Sequence, residues 1–374
     1  MNLERELISL FQWLHEHPEL AFEEVQTTAK LREILTAEGV EILDNSLKTG
    51  LIARIRGKRP GRIIGLRCDI DALPIQEETK LPYASKCEGR MHACGHDAHA
   101  AIMLGAALLL NRSRETWNGE VKVVFQPAEE QASGANMVLK TGQLDDVELF
   151  LSVHTYPFFP AGMLGIKEGP VMAAVDRFGI TIRGTGAHAA MPHRSVDPVV
   201  VQAAVVSALQ TVVSRTVDPF APVVVSVTHV EAGSSWNIIP ETAFLEGTVR
   251  SLDPSVRAQV EQRMAALVDQ TARAYGATAQ FDWLPGAPAV INDAGLCEIA
   301  REVALEEGFK VGVQENGMSG EDFSCYLDGR PGIFIRVGTG GEHPGHHPGF
   351  TVDPAAIYPA AEYFARLATR LLEK

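Results

Sequence analysis

A stretch of nine residues concentrates three histidines, a cysteine and a carboxylate: Met91-His92-Ala93-Cys94-Gly95-His96-Asp97-Ala98-His99. Thiolate, imidazole and carboxylate groups are the ligands of zinc-like and manganese-like divalent ions. Gly95 permits a sharp backbone turn, so Cys94 and His96 can converge on one point. Small and apolar residues then continue as far as Leu110, which predicts a largely buried helix. The sequence therefore predicts a metal site at the N-terminus of this helix.

Further residues of the same chemical types stand just after predicted strands. The strands are predicted over 63–68, 121–125, 149–153 and 333–337. The residues that follow them are, in chain order, Asp69 and Asp71, Glu129 and Glu130, His154, and the loop histidines His343, His346 and His347. Because open, mostly parallel sheets bind ligands beyond the carboxyl ends of their strands, we expect these side chains at one edge.

Five candidate ligands emerge: Cys94, His96, Glu130, His154 and a histidine of the C-terminal loop. Five exceed the three or four protein ligands of a single zinc site and suit two ions about 3.5–4 Å apart that share a bridging ligand. Either the Cys94 thiolate or a neighbouring carboxylate could form the bridge. Taken alone, Cys94 and His96 also fit a buried structural thiol and a capping imidazole.

Glu129 and Glu130 are adjacent, so one can bind metal while the other serves as the base that a hydrolytic metal site needs. A solvated acidic turn is the alternative. Asp69 and Asp71 alternate about Ile70, and we expect one of them to orient a ligating histidine; a structural cap is the alternative for Asp69. We expect His92 and His99 to support the site or to pack beside it.

Composition limits the possible partners. With 46% apolar and 21% charged residues, this chain of 374 residues is typical of globular proteins, and its length predicts two domains. A net charge of −14 argues against nucleic-acid and anionic-membrane partners. An odd number of cysteines, five, and no apparent targeting or membrane-spanning stretch predict free thiols and a cytoplasmic location.

The order of predicted elements indicates an α/β protein. Strands alternating with helices predict a catalytic domain with a mostly parallel sheet, formed by 1–174 and 289–374. Between these parts, 175–288 shows the order β-α-β-β-α-β of a ferredoxin-like α+β domain. We expect this inserted domain to act as a lid on two hinges.

Three polar residues of the predicted lid could handle substrate. His188 lies in a loop of small residues, where a substrate could approach closely and receive a hydrogen bond at a developing oxyanion. Asn237 and Arg250 could grip an amide or a carboxylate. An ordinary loop histidine and solvated surface groups are the alternatives.

Eight motifs together resemble the M20 metallopeptidase superfamily, in its order and over nearly the whole chain. They are Asp69-Ile70-Asp71-Ala72-Leu73-Pro74, Met91-His92-Ala93-Cys94-Gly95-His96-Asp97, Gln126-Pro127-Ala128-Glu129-Glu130, Gly186-Ala187-His188-Ala189-Ala190, Asn237-Ile238-Ile239-Pro240, Gly247-Thr248-Val249-Arg250, Gly320-Glu321-Asp322-Phe323 and His346-His347-Pro348-Gly349-Phe350. The likeness is to the amidohydrolase branch, which includes hippurate hydrolases and N-acyl-amino-acid deacetylases, and most of all to bacterial N-acetylcysteine-type deacetylases. Peptidase branches carry His-x-Asp in place of Asp69-Ile70-Asp71 and a bridging Asp in place of Cys94.

The resemblance implies two divalent ions, of Mn, Zn, Co or Ni, held by Cys94, His96, Glu130, His154 and His346. It implies Glu129 as general base and acid, with Asp71 among the catalytic groups. His188 would stabilise the oxyanion, often in a partner subunit's site, while Asn237 and Arg250 hold the substrate. A homodimer or homotetramer through the lid is implied as well.

The function predicted is hydrolysis of the amide bond of N-acyl amino acids. Three alternatives remain open from the residues. They are a metallo-carboxypeptidase or dipeptidase, a hydrolase that uses Cys94 as nucleophile and His96 as base, and a metal-dependent binding protein without catalysis.

Overall fold

A computed structural model gives the structure of the protein and describes residues 2–313 and 315–373. The helices, in chain order, are α1 (Leu3–Glu16), α2 (Val25–Ala37), α3 (His96–Arg112), α4 (Gly134–Leu139), α5 (Pro198–Thr211), α6 (Pro254–Ala274), α7 (Ala294–Glu306) and α8 (Ile357–Leu372). The strands are β1 (Glu41–Ile42), β2 (Leu51–Arg56), β3 (Ile63–Asp69), β4 (Glu120–Gln126), β5 (Leu149–Tyr156), β6 (Met163–Gly165), β7 (Gly169–Met172), β8 (Ala174–Arg183), β9 (Ala187–His188), β10 (Val223–Ala232), β11 (Ile238–Ile239), β12 (Thr242–Ser251), β13 (Thr278–Pro285), β14 (Val290–Asn292), β15 (Lys310–Gly312) and β16 (Gly332–Gly338).

The contacts divide the chain into two compact units. Unit 1 is Met1–Val171, Ile291–Glu315 and Asp322–Lys374, and unit 2 is Met172–Val290 and Asn316–Glu321. The sequence predicts 316–321 as part of the catalytic domain, and the structure instead groups this segment with unit 2. In the structure the Ala173 N–H donates to the Ser319 carbonyl at 3.0 Å, which attaches this short segment to unit 2.

Unit 1 is built on a mixed sheet in the order β1-β2-β4-β3-β5-β16-β6-β15. The central strands β4, β3, β5 and β16 run parallel to one another, as predicted. Antiparallel pairs flank them, at β2 with β4 and at β16 with β6. The sheet is therefore mostly parallel only at its centre, where the predicted site residues emerge.

Helix α3 lies in the core of unit 1 and packs against α1 and α8. Its run of small residues lets these helices approach closely. At Gly105 an added Cβ would stand 2.5 Å from the Leu7 Cδ1 atom and 2.7 Å from the Ala361 Cβ atom. The predicted buried helix after His96 is confirmed, whereas α7 was not predicted.

A buried ionic cluster ties α1 to the first turn of α3. His15 Nδ1 lies 2.6 Å from Asp97 Oδ2, and His15 Nε2 lies 3.3 Å from Glu77 Oε1. Burial alone lowers the pKa of His15, but the two carboxylates outweigh it and raise the pKa to about 10. His15 is therefore a protonated, buried cation at neutral pH.

Unit 2 confirms the predicted ferredoxin-like order. Its antiparallel sheet has the order β10-β12-β8-β13, and α5 and α6 pack on the sheet. A separate two-residue ladder joins β9 to β11 and pairs His188 with Ile238. This ladder was not predicted, because strands of two residues carry no periodic signal.

One described helical stretch, 198–216, is long and apolar enough to cross a membrane, judged by length and composition. A single such stretch is weak support for a membrane span, since core helices of globular proteins pass the same test. Here one face, with Val201, Val205 and Leu209, belongs to the core of unit 2.

Replacing Gly105 by alanine should destabilise the protein. Overpacking against Leu7 and Ala361 costs roughly 1–3 kcal/mol, which exceeds the gain of about 1 kcal/mol from helix propensity. Chemical denaturation measures the effect. Gly295→Ala, on the exposed first turn of α7, is the control, since its added Cβ comes no closer than 3.3 Å to its nearest contact, Asp293 Oδ1, and it should lose clearly less stability. Equal stability of the two variants would contradict the packing argument.

The His15 cluster predicts a pH-dependent stability difference. Because the pKa of His15 is higher in the folded state than the unfolded value of about 6.5, its contribution is complete below pH 6.5 and is lost towards pH 10. The difference in unfolding free energy between wild type and His15→Gln should therefore shrink over this range. A difference that stays constant from pH 6.5 to pH 10 would contradict the assignment of His15 as a buried cation.

Candidate metal centre and catalytic site

The parallel register of the central strands brings the predicted residues to one edge. Asp69, the last residue of β3, pairs with Gln126, the last residue of β4. On the other side of β3, Arg67 pairs with Ser152, and this register places His154 level with Asp69 at the end of β3. The loops after β3 and β4 and the N-terminus of α3 meet at this edge.

Ligand atoms of five side chains cluster there in two groups that share Cys94. In the first group, ligand atoms of Cys94, His96 and His154 lie within 4.8 Å of one another. In the second, the same holds for Cys94, Glu130 and His346. Cys94 Sγ is 3.6 Å from His154 Nε2, and Glu130 Oε1 is 3.2 Å from His346 Nε2. The thiol is thus the member common to both groups.

Asp71 orients two of these groups. Its Oδ1 atom lies 3.2 Å from His96 Nδ1, and its Oδ2 atom accepts the Glu130 backbone N–H at 3.0 Å. The carboxylate therefore places the proton on His96 Nδ1 and leaves Nε2 to face Cys94 and Glu130. Asp71 is buried, and its contacts are those of a positioning residue.

Backbone geometry fixes the Cys94 loop and His346. Gly95 has a φ of +82°, and an added Cβ would lie 2.7 Å from the Thr155 Oγ1 atom. His346 also has a positive φ, +65°, and its N–H donates to the Ala93 carbonyl at 2.7 Å. His347 instead accepts the Gly349 N–H at Nδ1 and stacks on His343 at 4.0 Å. The structure therefore brings His346, and not His347, to the cluster.

The pocket is electronegative and holds its thiol neutral. Burial raises the pKa of the Cys94 thiol well above its usual range. Burial opposes protonation of His96, but Asp69 and Asp71 raise its pKa. His154 is the opposite case, because burial and the neighbouring His99 lower its pKa and keep it neutral. A bound cation would relieve both the excess of carboxylates and the cost of ionising Cys94.

These side chains fit divalent metal ions. His96 Nε2 is buried and has no hydrogen-bond partner among the described residues. The His154 Nδ1–H donates to the Thr155 carbonyl at 2.8 Å, so its lone pair at Nε2 points to Cys94. One thiolate, three imidazoles and one carboxylate make a donor set suited to zinc-like and manganese-like ions.

The buried carboxyl group of Glu24 supports Glu129 and Glu130 through the backbone that precedes them. Glu24, at the start of α2, accepts the Ala128 N–H at 2.9 Å, and Ala128 has a positive φ of +52°. This contact fixes the turn that leads into Glu129 and Glu130. One carboxylate oxygen of Glu129 and one ligand atom each of His96 and Glu130 lie within 4.8 Å of one another. Sequence reasoning missed Glu24, which carries no motif signal.

Unit 2 presents the remaining predicted residues. His188 is exposed, and its Nδ1 atom accepts the Ala190 N–H at 3.1 Å, so the proton lies on Nε2. The Asn237 carbonyl accepts the Ala189 N–H at 3.1 Å, which holds Asn237 beside the His188 loop. Arg250 lies on β12, where partial burial lowers its pKa. His188 is thus a fixed hydrogen-bond donor.

Comparison with known proteins decides the family. A family model for peptidase family M20/M25/M40 matches residues 65–370. The chain belongs to this family. The prediction made from the eight motifs is therefore confirmed, together with the predicted hydrolase class and the α/β fold with a ferredoxin-like second unit.

Individual M20 relatives match over most of their length. N-acetylcysteine deacetylase of Bacillus subtilis (strain 168) is 48% identical over 368 residues, which cover 98% of this chain and 97% of that protein. N-acyl-L-amino acid amidohydrolase of Geobacillus stearothermophilus is 42% identical over 292 residues, covering 78% and 79%. The crystal structure of the Bacillus subtilis YXEP protein, described as a dinuclear metal-binding M20 peptidase, covers 99% of both chains with 45% identity and a TM-score of 0.91.

Gly95→Ala should disrupt the site more than its backbone strain explains. A positive φ costs an L residue about 1–2 kcal/mol, and the clash with Thr155 comes in addition. Gly89→Ala is the matched control, because Gly89 also has a positive φ but has no heavy atom within 4 Å of the added Cβ. Thermal unfolding should show a clearly larger loss for Gly95→Ala; equal losses would contradict the predicted clash.

Proposed function

We propose that the protein is a metal-dependent amidohydrolase that cleaves the amide bond of N-acyl amino acids to give a carboxylate and a free amino acid. The observation that carries the proposal is the sharing of Cys94 by two overlapping ligand groups in an electronegative pocket. Similarity to an N-acetylcysteine deacetylase and to an N-acyl-L-amino acid amidohydrolase supports this class of substrate.

Two divalent ions, of Mn, Zn, Co or Ni, are the proposed cofactors. Cys94, His96 and His154 would hold one ion, and Cys94, Glu130 and His346 the other. Bound ions would supply Lewis acidity and lower the pKa of water towards neutrality. The similar dinuclear metal-binding M20 peptidase supports the number of ions.

Glu129 is the proposed general base and acid. It follows a rigid turn, and its carboxylate stands next to His96 and Glu130. Glu129 accepts a proton from the water that attacks the acyl carbon. It then returns this proton to the amide nitrogen, so that the C–N bond breaks and a neutral amine leaves.

Unit 2 supplies the proposed substrate-binding groups. The His188 Nε2–H donates to the carbonyl oxygen as negative charge develops on it. Arg250 pairs with the carboxylate of the amino acid, and Asn237 donates to its polar groups. The fixed tautomer of His188 supports its role, because a donor whose proton is already placed needs no rearrangement during the reaction.

Association through unit 2, as a homodimer or homotetramer, is part of the proposal. Val199 and Val200 on α5 and Val224 and Val230 on β10 are exposed, and β10 is an edge strand of its sheet. Unpaired strand edges and exposed apolar side chains favour pairing with a second copy. A reducing cytoplasmic location is proposed from the five cysteines, all of which are free thiols.

The deciding experiment is hydrolysis of a panel of N-acetyl amino acids and dipeptides by metal-stripped protein, before and after Mn²⁺, Zn²⁺, Co²⁺ or Ni²⁺ is added. Restored cleavage of N-acetyl amino acids is the expected result. Preferred cleavage of dipeptides would reassign the enzyme as a peptidase. Activity that survives metal removal and is lost on alkylation would instead indicate Cys94 as a nucleophile.

Glu129→Gln should lower kcat by at least about 100-fold, since general base catalysis contributes roughly 10²–10⁴-fold. The metal content should stay at the wild-type value, because Glu129 is not among the proposed ligands. Steady-state kinetics and elemental analysis measure the two effects. Glu115→Gln, at an exposed surface position, is the control. Full turnover by Glu129→Gln would require a different base.

A further inference from the structure

Thr155 contacts two of the three proposed ligands of one metal ion, Cys94 and His154, through separate hydrogen bonds. Its Oγ1–H donates to the Cys94 carbonyl at 2.9 Å, and its own carbonyl accepts the His154 Nδ1–H at 2.8 Å. Its side chain also fills the space above Gly95. Thr155 therefore determines how the Cys94 loop and the His154 ring lie relative to each other.

His99 holds Thr155 by its remaining backbone group. The Thr155 N–H donates to His99 Nε2 at 2.7 Å, and His99 Nδ1 lies 2.5 Å from Asp69 Oδ1. Because an N–H can only donate, His99 Nε2 is an acceptor, and the ring carries its proton on Nδ1. Both ring nitrogens are used, so His99 has no lone pair left for a metal ion despite lying close to His96.

Asp69 is in turn held by a fully buried arginine. Arg67 donates to Asp69 Oδ2 through Nη1 and to Asp322 Oδ1 through Nη2, at 2.8 Å in both cases. Asp322 also accepts from the Gln126 side chain and from the Ala135 N–H. The motif that contains Asp322 thus connects to the metal site through side chains, although Asp322 contacts none of the five proposed ligands.

We infer that Asp69, His99 and Thr155 form a buried relay that positions Cys94 and His154 for the metal, with Arg67 and Asp322 anchoring its far end. This inference rests on the metal site proposed above. It assigns Asp69 a role through its contact with His99, although Asp69 Oδ2 also lies 3.7 Å from His96 Nε2. Asp71 contacts the other nitrogen of His96, Nδ1. It also gives His99 a positioning role, in contrast to simple packing or metal ligation.

Three substitutions separate these interpretations. Thr155→Val keeps the shape of the side chain and removes only the hydroxyl that binds the Cys94 carbonyl. His99→Phe fills the ring volume and removes both hydrogen bonds. His99→Gln restores one donor, for Asp69, and one acceptor, for the Thr155 N–H. The matched control is Thr339→Val, because Thr339 is equally buried and its hydroxyl has no partner among the described residues.

In the test, Co²⁺ alone is titrated into each metal-stripped variant. Two quantities are measured: the dissociation constant of Co²⁺ and the near-ultraviolet charge-transfer band between the Cys94 thiolate and cobalt. Removing a group that hydrogen-bonds to a metal ligand lowers metal affinity by about 10–100-fold. We expect a loss of this size for Thr155→Val and for His99→Phe, with a weaker or shifted thiolate band. His99→Gln should regain part of the affinity, and Thr339→Val should match the wild type.

Each outcome decides a different point. If the wild-type protein binds no Co²⁺, the proposed metal site is wrong, and the proposed relay is overturned with it. Wild-type affinity in both Thr155→Val and His99→Phe would overturn the relay while leaving the metal site intact. Wild-type affinity in His99→Phe together with a loss in His99→Gln would show that ring volume, and not hydrogen bonding, matters at His99, and would remove His99 from the relay. If His99→Phe fails to fold, Thr155→Val compared with Thr339→Val still decides.

Discussion

The parallel pairing of β3 with β4 and β5 is the constraint on which the site depends. Parallel strands place their carboxyl ends at the same edge of the sheet. The loops after β3 and β4 and the last residues of β5 therefore lie close together as a result of strand pairing alone. Helix α3 then adds Cys94 and His96 from its N-terminal turn. A slip of one residue in this register would turn Asp69 to the opposite face of the sheet.

Buried charge is the second constraint. Asp69, Asp71 and Asp322 are almost completely buried near the site, and Arg67 is the fully buried arginine that joins two of them. A buried carboxylate without a partner is costly. Arg67 neutralises the carboxylates Asp69 and Asp322 on one side of the cluster. On the other side, towards Cys94 and Glu130, a bound cation would neutralise the remaining negative charge.

Single backbone amides decide how two histidines behave. The Thr155 N–H makes His99 an acceptor at Nε2, which turns its proton towards Asp69. The Ala190 N–H makes His188 an acceptor at Nδ1, which leaves its proton on Nε2. The same type of side chain is thus a buried positioning residue at His99 in unit 1 and an exposed hydrogen-bond donor at His188 in unit 2. The deciding group in each case is a backbone N–H, and every residue except proline carries one.

The sequence alone determined the types of ligand, the central strands that end beside them, the buried helix α3, and the β-α-β-β-α-β order of unit 2. These features are local, because they follow from periodicity, from turn residues and from side-chain chemistry along a short stretch. The tertiary structure decided the choices that need three dimensions. It distinguished Asp71 from Asp69 and His346 from His347, and it used up both nitrogens of His99. It also joined 316–321 to unit 2, because hydrogen bonds between residues more than a hundred positions apart leave no periodic trace in the sequence.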